Sequence, residues 1–344
     1  MNLNEKSAMK ALNLHSVGDL RLDELPLPVC AEDEVLVRIG SCGVCGSDLP
    51  RVYTKGTYHF PTVIGHECAG TVVHDPRGEL TGVRAAISPL LPCFTCEACR
   101  REAYALCADY DYYGSRRDGG MAEYLAVKRW NLLPLPDGVS MEAGAMCEPA
   151  AVARHAVRKL GDVNSKRLLI GGAGPIGLLV AMWARSEGVG RVFFFDLDEA
   201  KVQFAVEMGF SAYVEGEAVD LAVEGTGASG ALVRCLDALC AGGRMVLMGN
   251  PIGAMDLSQA DYWKILRKEL TLCGTWNSSY AERENDWREA LAAMSDGRIQ
   301  PEALISHRVP LAQGIEALEM MKNKTETYRK VMLNMGEEEQ CTTK

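Results

Sequence analysis

A glycine-rich turn between a predicted strand and a predicted helix constrains the fold more than any other feature of this sequence. Arg167–Gly171 is typical of a buried strand, a G-x-G-x-x-G pattern follows it, and residues 178–187 have helical character. The next apolar run, 192–195, ends at the acidic Asp196. Although G-x-G-x-x-G alone is a weak signal, this context predicts a doubly wound parallel sheet of the Rossmann type that binds a dinucleotide.

The residues that contact the dinucleotide can be predicted from this pattern. Glycines let the backbone approach a pyrophosphate at a helix N-terminus, and further glycines follow later strands where ligands bind. Asp196 accepts hydrogen bonds from ribose hydroxyls and repels a 2′-phosphate, which favours NAD over NADP. Lys201 is expected to pack its stem over the adenine. The predicted set is Gly172, Gly174, Pro175, Ile176, Gly177, Asp196, Lys201 and Gly227.

Four cysteines form the most specific spacing in the chain. Cys93, Cys96, Cys99 and Cys107 follow a C-x2-C-x2-C-x7-C pattern. A gap of two residues lets neighbouring sulfurs converge on one ion, and four thiolates close a tetrahedral shell. The pattern predicts a structural zinc that supports a lobe with little apolar core of its own. A loop of reduced thiols and an iron–sulfur cluster are the alternatives.

A second set of possible metal ligands is spread along the chain. Cys45 lies in the segment 43–48, His66 and Glu67 follow downstream, and Glu148 precedes a proline. Mixed sulfur, nitrogen and oxygen donors suit a catalytic zinc, whose fourth position is left to the substrate. A Cys and a His this far apart in a sequence also occur by chance, so this pair alone is weak evidence for a metal site. Glu148 either completes the ligand set or complements a helix dipole.

The composition limits the class of protein. The chain has 344 residues, which suggests two domains, with 48% hydrophobic and 24% charged residues. A net charge of −10 argues against binding nucleic acid or an anionic membrane. Thirteen cysteines, an odd number, favour metal binding or burial over a disulfide framework. We expect a cytoplasmic protein without a signal peptide or membrane span.

Two arginines stand in an aromatic, glycine-rich segment, residues 110–120. Arg116 and Arg117 offer planar forks that bind phosphate groups well. A solvated turn is the alternative for either arginine taken alone. Alternating apolar residues before this segment predict short antiparallel strands in a barrel-like first domain.

Taken together, these segments resemble the zinc-dependent medium-chain dehydrogenases. The similarity is carried, in order, by Gly-Val-Cys-Gly-Ser-Asp (43–48), Gly-His-Glu (65–67), the four cysteines, Asp-Gly-Gly-Met-Ala-Glu-Tyr (118–124), Glu-Pro (148–149) and Gly-Ala-Gly-Pro-Ile-Gly (172–177). The sequence is most similar to the polyol branch. Segments 47–51, 89–96, 114–120 and 264–270 resemble members that act on galactitol 1-phosphate.

The resemblance implies an α/β fold with a β-rich part: a GroES-like catalytic domain (1–155, zinc lobe at about 88–112), a Rossmann domain (156–290) and a return to the first domain (291–344) with a polar tail. It implies two Zn²⁺ per chain, NAD, and a homodimer or homotetramer. Cys45, His66 and Glu148 match the catalytic zinc ligands, and Glu67 matches a carboxylate that exchanges onto the metal. Asp48 matches the carboxylate that orients the histidine, and Ser47 the hydroxyl that takes the substrate proton.

The substrate implied is a small polyol or polyol phosphate. A phosphate needs a cation, for which Arg51, Lys55, Arg116 and Arg117 are the candidates. Asn277, which follows Trp276, stands where sorbitol dehydrogenases place an arginine near the substrate, and both are candidate substrate residues. The chain departs from the family at Pro50, where relatives often carry a histidine of the proton path. A sorbitol- or L-iditol-type enzyme, another secondary alcohol dehydrogenase and an L-threonine dehydrogenase remain alternatives. A non-catalytic NAD-binding protein with a structural zinc and a nucleic-acid-binding zinc module are the alternatives from other classes.

Overall fold

The alternating strands and the glycine-rich turn belong to two separate units of the chain. The computed structural model describes residues 7–251 and 253–335. Within them, one unit contains residues 7–148, 281–283 and 301–335, and the other contains Pro149–Tyr280 and Glu284–Gln300. The polar tail predicted at 337–344 lies outside the described residues.

Strands dominate residues 7–148. Ten strands are present: β1 (Ala8–Ser16), β2 (Asp19–Pro26), β3 (Glu34–Val44), β4 (Thr62–Val63), β5 (Glu67–His74), β6 (Arg84–Ile87), β7 (Leu90–Leu91), β8 (Asp111–Tyr112), β9 (Tyr124–Lys128) and β10 (Leu132–Pro134). Three short helices accompany them: α1 (Asp48–Pro50), continued by a π-helical turn (Arg51–Lys55), α2 (Glu97–Arg100) and α3 (Met141–Ala145). Two single 3₁₀ turns lie at Tyr104–Leu106 and Arg129–Asn131.

The second unit alternates strands and helices. Its strands are β11 (Arg167–Gly171), β12 (Arg191–Phe195), β13 (Ser211–Ala212), β14 (Val219–Glu224), β15 (Leu239–Leu247) and β16 (Thr271–Gly274). The helices are α4 (Cys147–Leu160), which begins at the end of the first unit, α5 (Pro175–Ser186), α6 (Glu199–Glu207), α7 (Ser229–Ala238), α8 (Gln259–Arg267) and α9 (Asp286–Ser295). The strands form one parallel sheet in the order β13-β12-β11-β14-β15-β16. Reversal of the strand order beside β11 is typical of a doubly wound sheet.

The chain then returns to the first unit. A 3₁₀ turn (Pro301–Leu304), β17 (Ile305–Pro310), a 3₁₀ turn (Leu311–Gln313), α10 (Gly314–Asn323) and β18 (Lys330–Asn334) complete it. β18 pairs antiparallel with β3 and parallel with β17, in a sheet of order β10-β6-β5-β3-β18-β17 with β9 also on β3. The last described strand is therefore built into this sheet, between β3 and β17.

Each unit has its own apolar core. In the first unit, residues of β1, β3, β5, β9, β18 and α10 pack together, with Leu12, Leu14 and Val37 fully buried. In the second, Leu169, Phe193 and residues of α7 and β14 form the core. None of the helices in the described part of the chain is both long and apolar enough to span a bilayer.

Candidate active site

The four cysteines of the predicted structural zinc site converge. Their Sγ atoms all lie within 4.8 Å of one another, with 3.9 Å between Cys93 and Cys99 and 3.9 Å between Cys96 and Cys107. Four thiolates held about 2.3 Å from one zinc stand about 3.8 Å apart. The Thr95 hydroxyl and the backbone N–H groups of Thr95 and Cys96 lower the pKa of Cys93 to about 6, which favours the thiolate. The spacing of these donors fits a tetrahedral zinc.

A second cluster of donors forms where β3 ends and β5 begins. Cys45 follows β3 directly, His66 precedes β5, and the antiparallel register opposes Gly43 to Glu67. This register brings ligand atoms of Cys45, His66 and Glu67 within 4.8 Å of one another. A Cβ atom at Gly43 would overlap the Glu67 carboxylate, so glycine is needed there to leave room for it. A thiolate, an imidazole and a carboxylate suit zinc.

A buried carboxylate orients this cluster. Asp48 Oδ1 lies 3.3 Å from His66 Nδ1, and Asp48 Oδ2 accepts a hydrogen bond from the Cys45 N–H at 2.9 Å. Arg51 donates from Nη1 to Asp48 Oδ1 and to the Ser47 hydroxyl, both at 3.0 Å. Burial raises the pKa of Asp48, but His66 and Arg51 outweigh it and lower the value to about 2. Because Asp48 engages Nδ1, His66 keeps its other ring nitrogen for a metal.

A lysine from the last strand is part of the same site. Lys330, at the start of β18, pairs through Nζ with Glu67 Oε2 and donates to the Val44 carbonyl at 3.2 Å. Lys330 is 3% exposed and Glu67 is 1% exposed. Burial lowers the pKa of Lys330, but Glu67 and Cys45 raise it above its ordinary value, so the ammonium stays charged. The sequence interpretation missed both Lys330 and its strand.

Glu148 lies near the cluster but outside the group of three converging donors. Its Oε1 accepts from the Tyr112 hydroxyl at 3.5 Å, and the Tyr112 ring packs 5.8 Å from the His66 ring. Burial, with Glu67 and Asp48, raises the pKa of Glu148 to about 7, although His66 and Lys330 oppose the rise. The donors that lie within 4.8 Å of one another therefore include Glu67 and not Glu148.

The glycine-rich turn lies between β11 and α5, as the sequence predicts. Gly172 has φ +99°, and a Cβ atom at Gly177 would overlap the Gly172 carbonyl. Gly174 caps α5, and Pro175 occupies its first turn, with Ile176 next. Asp196 at the end of β12 accepts from the Ala173 N–H at 2.8 Å, which connects this carboxylate to the turn. Lys201 lies in α6.

A buried glutamate, unrecognised in the sequence, organises the neighbouring turn. Glu224 at the end of β14 is 1% exposed and accepts from the Thr226 N–H (2.7 Å), the Thr226 hydroxyl (2.6 Å) and the Gly227 N–H (3.0 Å). Gly227 has φ +73°, and a Cβ atom there would overlap the Asn250 carbonyl. The carboxyl ends of β14 and β15 are therefore held together at the ligand edge of the sheet.

A third group of donors, in the second unit, is already paired with an arginine. His155, Glu284 and Asp286 offer ligand atoms within 4.8 Å of one another. Asp286 Oδ2 lies 2.9 Å from His155 Nδ1, and Arg158 lies 3.1 Å from Asp286 and 3.7 Å from Glu284. Arg158 and His155 already pair with the Asp286 carboxylate, and Arg158 also pairs with Glu284, so we read this group as a packed ion-pair network.

Comparisons with known proteins agree with the two clusters and the turn. The model of the "Alcohol dehydrogenase GroES-like domain" matches residues 31–137, and that of "Zinc-binding dehydrogenase" matches residues 175–296. Galactitol 1-phosphate 5-dehydrogenase of Escherichia coli K12 is 35% identical over 320 residues, covering 87% of this chain and 92% of that protein. The chain belongs to the zinc-dependent medium-chain dehydrogenases.

A further relative and a solved structure place this dehydrogenase among those of polyols and sugar alcohols. Sorbitol dehydrogenase of Bombyx mori is 32% identical, covering 90% of the chain and 94% of that protein. The crystal structure of galactitol-1-phosphate dehydrogenase from Escherichia coli matches with TM-score 0.88 at 33% identity, covering 95% of this chain and all of that one. The predicted family, fold class and oxidoreductase class are confirmed.

The arginines predicted to bind substrate differ in their surroundings within the dehydrogenase. Arg51 donates to Ser47 and Asp48. Arg117 pairs with Glu34 at 3.6 Å and Asp111 at 3.7 Å. Arg116 instead stacks between two tyrosines.

The other predicted substrate residues are Lys55, in the first unit, and two residues of the second unit. Lys55 is an exposed residue at the end of the π-helical turn. In the second unit, Trp276 is 55% exposed and Asn277 has φ +55°, in the segment after β16. Neither Trp276 nor Asn277 contributes to the two cysteine-containing clusters of the first unit.

Proposed function

We propose that this dehydrogenase oxidises a secondary hydroxyl of a phosphorylated polyol, galactitol 1-phosphate being the favoured substrate, with hydride transfer to NAD. The convergence of Cys45, His66 and Glu67 against the buried Asp48 carries the proposal. The 35% identical relative over nearly its whole length favours the phosphate ester. A sorbitol dehydrogenase at 32% identity keeps oxidation of a free polyol as the second candidate.

Two zinc ions per chain belong to the proposal. Cys93, Cys96, Cys99 and Cys107 would hold the structural ion. Cys45 and His66 would hold the catalytic ion with Glu148, and Glu67 would be the exchanging carboxylate. Glu67 already lies within 4.8 Å of the cysteine and histidine ligand atoms, which supports its direct participation. A zinc ion bound there would polarise the substrate oxygen and lower the pKa of the hydroxyl.

The chain's own residues position the substrate and move one proton. Oxidation of the hydroxyl carbon transfers one hydride to the nicotinamide and releases one proton. Ser47 Oγ would receive that proton as it passes its own on to solvent. Arg51 donates a hydrogen bond to Ser47 Oγ, which leaves the serine proton pointing elsewhere and orients the hydroxyl for this relay. With Pro50 in place of a histidine, we propose that water takes the proton next.

Asp196 would select the nucleotide. Each of its oxygens accepts one backbone N–H, from Ala173 and Asp198, which fixes the carboxylate at the end of β12. A fixed carboxylate would accept the ribose hydroxyls and repel the 2′-phosphate of NADP. Asp196→Ala should raise kcat/KM with NADP relative to NAD. An unchanged ratio would contradict the assignment of the nucleotide.

Metal content and turnover together test the site. We expect about two zinc ions per wild-type chain and one in Cys45→Ala, which should lose activity while NAD binding persists. Cys240→Ala, a half-buried cysteine of the second unit, is the matched control. Wild-type activity in Cys45→Ala would refute the proposed chemistry. A single zinc per wild-type chain would favour the non-catalytic alternative.

A substrate panel tests specificity within the same reaction. Galactitol 1-phosphate, galactitol, sorbitol, L-threonine and a secondary diol should be compared at equal NAD. A larger kcat/KM for the phosphate ester is expected. Equal kcat/KM values for galactitol and galactitol 1-phosphate would contradict the phosphate ester as the favoured substrate. Oxidation of a polyol would then stand as the function.

Assembly and location are further proposals. β16 lies at one edge of the described parallel sheet, and all of its residues are exposed or half-exposed. An open edge of this kind favours pairing with a second copy, so we propose a homodimer or homotetramer, to be measured by light scattering. A cytoplasmic location remains a prediction.

A further inference from the structure

A cavity in the first unit lies beside the arginine that stacks between two tyrosines. It has a volume of about 630 Å³ and is lined by Tyr58, His59, Asp109, Tyr110, Asp111 and Arg116, with part of the zinc lobe. All of these residues belong to one unit. The volume is sufficient for a small phosphorylated molecule.

Arg116 has aromatic neighbours where most arginines of this protein have carboxylates. Its guanidinium carbon lies 3.9 Å from the Tyr58 ring centre and 4.5 Å from that of Tyr110. Its Nε is buried and has no hydrogen-bond partner. Across residues 7–251 and 253–335, no carboxylate lies within 4.0 Å of the Arg116 nitrogens, whereas Arg117 has two. Stacking on the two rings fixes the orientation of the planar Arg116 guanidinium but supplies no anion to balance its positive charge.

The backbone holds this arrangement in place. The Tyr58 N–H donates to the Ser115 carbonyl at 3.1 Å, and His59 Nε2 lies 3.1 Å from the Arg116 carbonyl. The Arg116 N–H in turn donates to the Tyr112 carbonyl at 3.0 Å. The two segments that form the cavity are therefore joined directly, and little ordering is required on binding.

Aromatic contacts connect the cavity to the candidate metal cluster. The Tyr110 ring lies 6.2 Å from the Tyr112 ring, which lies 5.8 Å from the His66 ring. The guanidinium is thus two tyrosine rings away from a proposed metal ligand. An acyclic substrate that reacts near one end and carries a charge at the other has the form that suits this arrangement.

We propose that the cavity binds the phosphate group of the polyol phosphate through Arg116, and that Asp109 and Asp111 accept hydrogen bonds from the neighbouring hydroxyls. The inference rests on the proposed function. A phosphate dianion is the acceptor that a preorganised guanidinium binds best. The two carboxylates weaken the binding of inorganic phosphate, whereas a polyol phosphate offers them hydroxyl donors. Asp111 is already partly neutralised by Arg117.

The decisive experiment compares esters and free polyols in Arg116→Gln. We expect kcat/KM for galactitol 1-phosphate to fall about 10- to 100-fold, mostly through KM, as for loss of a charged hydrogen bond. The value for free galactitol should change less than about twofold, within the range of a neutral substitution. Arg21→Gln removes the same charge from an exposed strand residue and should leave both values unchanged. Arg116→Lys, which keeps charge but not the fork, should show a smaller, ester-specific loss.

Each outcome separates this inference from the proposed function. If wild type prefers the ester and Arg116→Gln keeps that preference, the cavity assignment is wrong and the function stands. If both substrates lose activity equally, Arg116 is structural and the assignment is again wrong. If wild type shows no preference for the ester, both the phosphorylated substrate and the cavity assignment are wrong. Titration with glycerol 1-phosphate, which offers hydroxyl donors to the two carboxylates, should change the tyrosine fluorescence saturably in wild type and not in Arg116→Gln; equal saturation in both would overturn the inference.

Discussion

Loss of the Lys330 ammonium should destabilise the protein far more than loss of an exposed one. Lys330→Met keeps the aliphatic stem of this 3%-exposed side chain but leaves the Glu67 carboxylate buried without its partner. Asp48 and Glu148 are close enough for their charges to act on the same site, so repulsion among carboxylates is added. Removing one partner of a buried ion pair costs about 3–5 kcal/mol of unfolding free energy.

The assay is urea unfolding of the protein after its metal ions have been removed with a chelator. The fluorescence and circular dichroism curves are fitted with one m value, the slope of the unfolding free energy against urea concentration. Lys128→Met is the matched control, because Lys128 pairs with Asp33 (2.8 Å) and Glu34 (3.3 Å) while it is 30% exposed. Surface pairs contribute about 0–1 kcal/mol. The double variant Lys330→Met/Glu67→Gln should recover part of the loss, with a coupling of at least about 1.5 kcal/mol.

Two results would refute this reasoning. Equal losses in Lys330→Met and Lys128→Met would mean that water reaches the buried pair. A coupling near zero between positions 330 and 67 would mean that the lysine acts through packing alone. In either case Lys330 would no longer be assigned to the proposed metal site.

Three further predictions concern other parts of the chain. Cys99→Ser should remove one zinc per chain, measured by elemental analysis, and expose the lobe to protease; unchanged zinc content would contradict a tetrahedral thiolate site. Glu224→Gln should weaken NAD binding about tenfold by calorimetry, because one carboxylate holds three donors of the turn; unaltered affinity would show that the turn needs no such support. Burial raises the pKa of Asp75, but three backbone N–H groups and Arg129 lower it to about 2, below its unfolded value near 4. Asp75→Asn should therefore lower the melting temperature at pH 7. The difference in melting temperature between wild type and variant should be constant down to about pH 4 and shrink as the pH falls towards 2. A difference that grows in acid would contradict a lowered pKa for Asp75.

Local spacing made much of the fold and part of the site predictable. The C-x2-C-x2-C-x7-C cluster and the glycine turn at 172–177 are set within a few residues, so their geometry follows from covalent connectivity and steric limits. The parallel sheet followed from buried apolar runs that alternate with helices.

Contacts between distant segments were decided only by tertiary structure. Lys330 and Glu67 are 263 positions apart, and they meet because β18 and β5 pair with opposite sides of β3. The two adjacent arginines, Arg116 and Arg117, look alike in sequence, yet one pairs with carboxylates and the other stacks between tyrosines. Local sequence sets which chemical groups are available, whereas their charges are balanced by whichever partners the packed chain brings within a few ångströms.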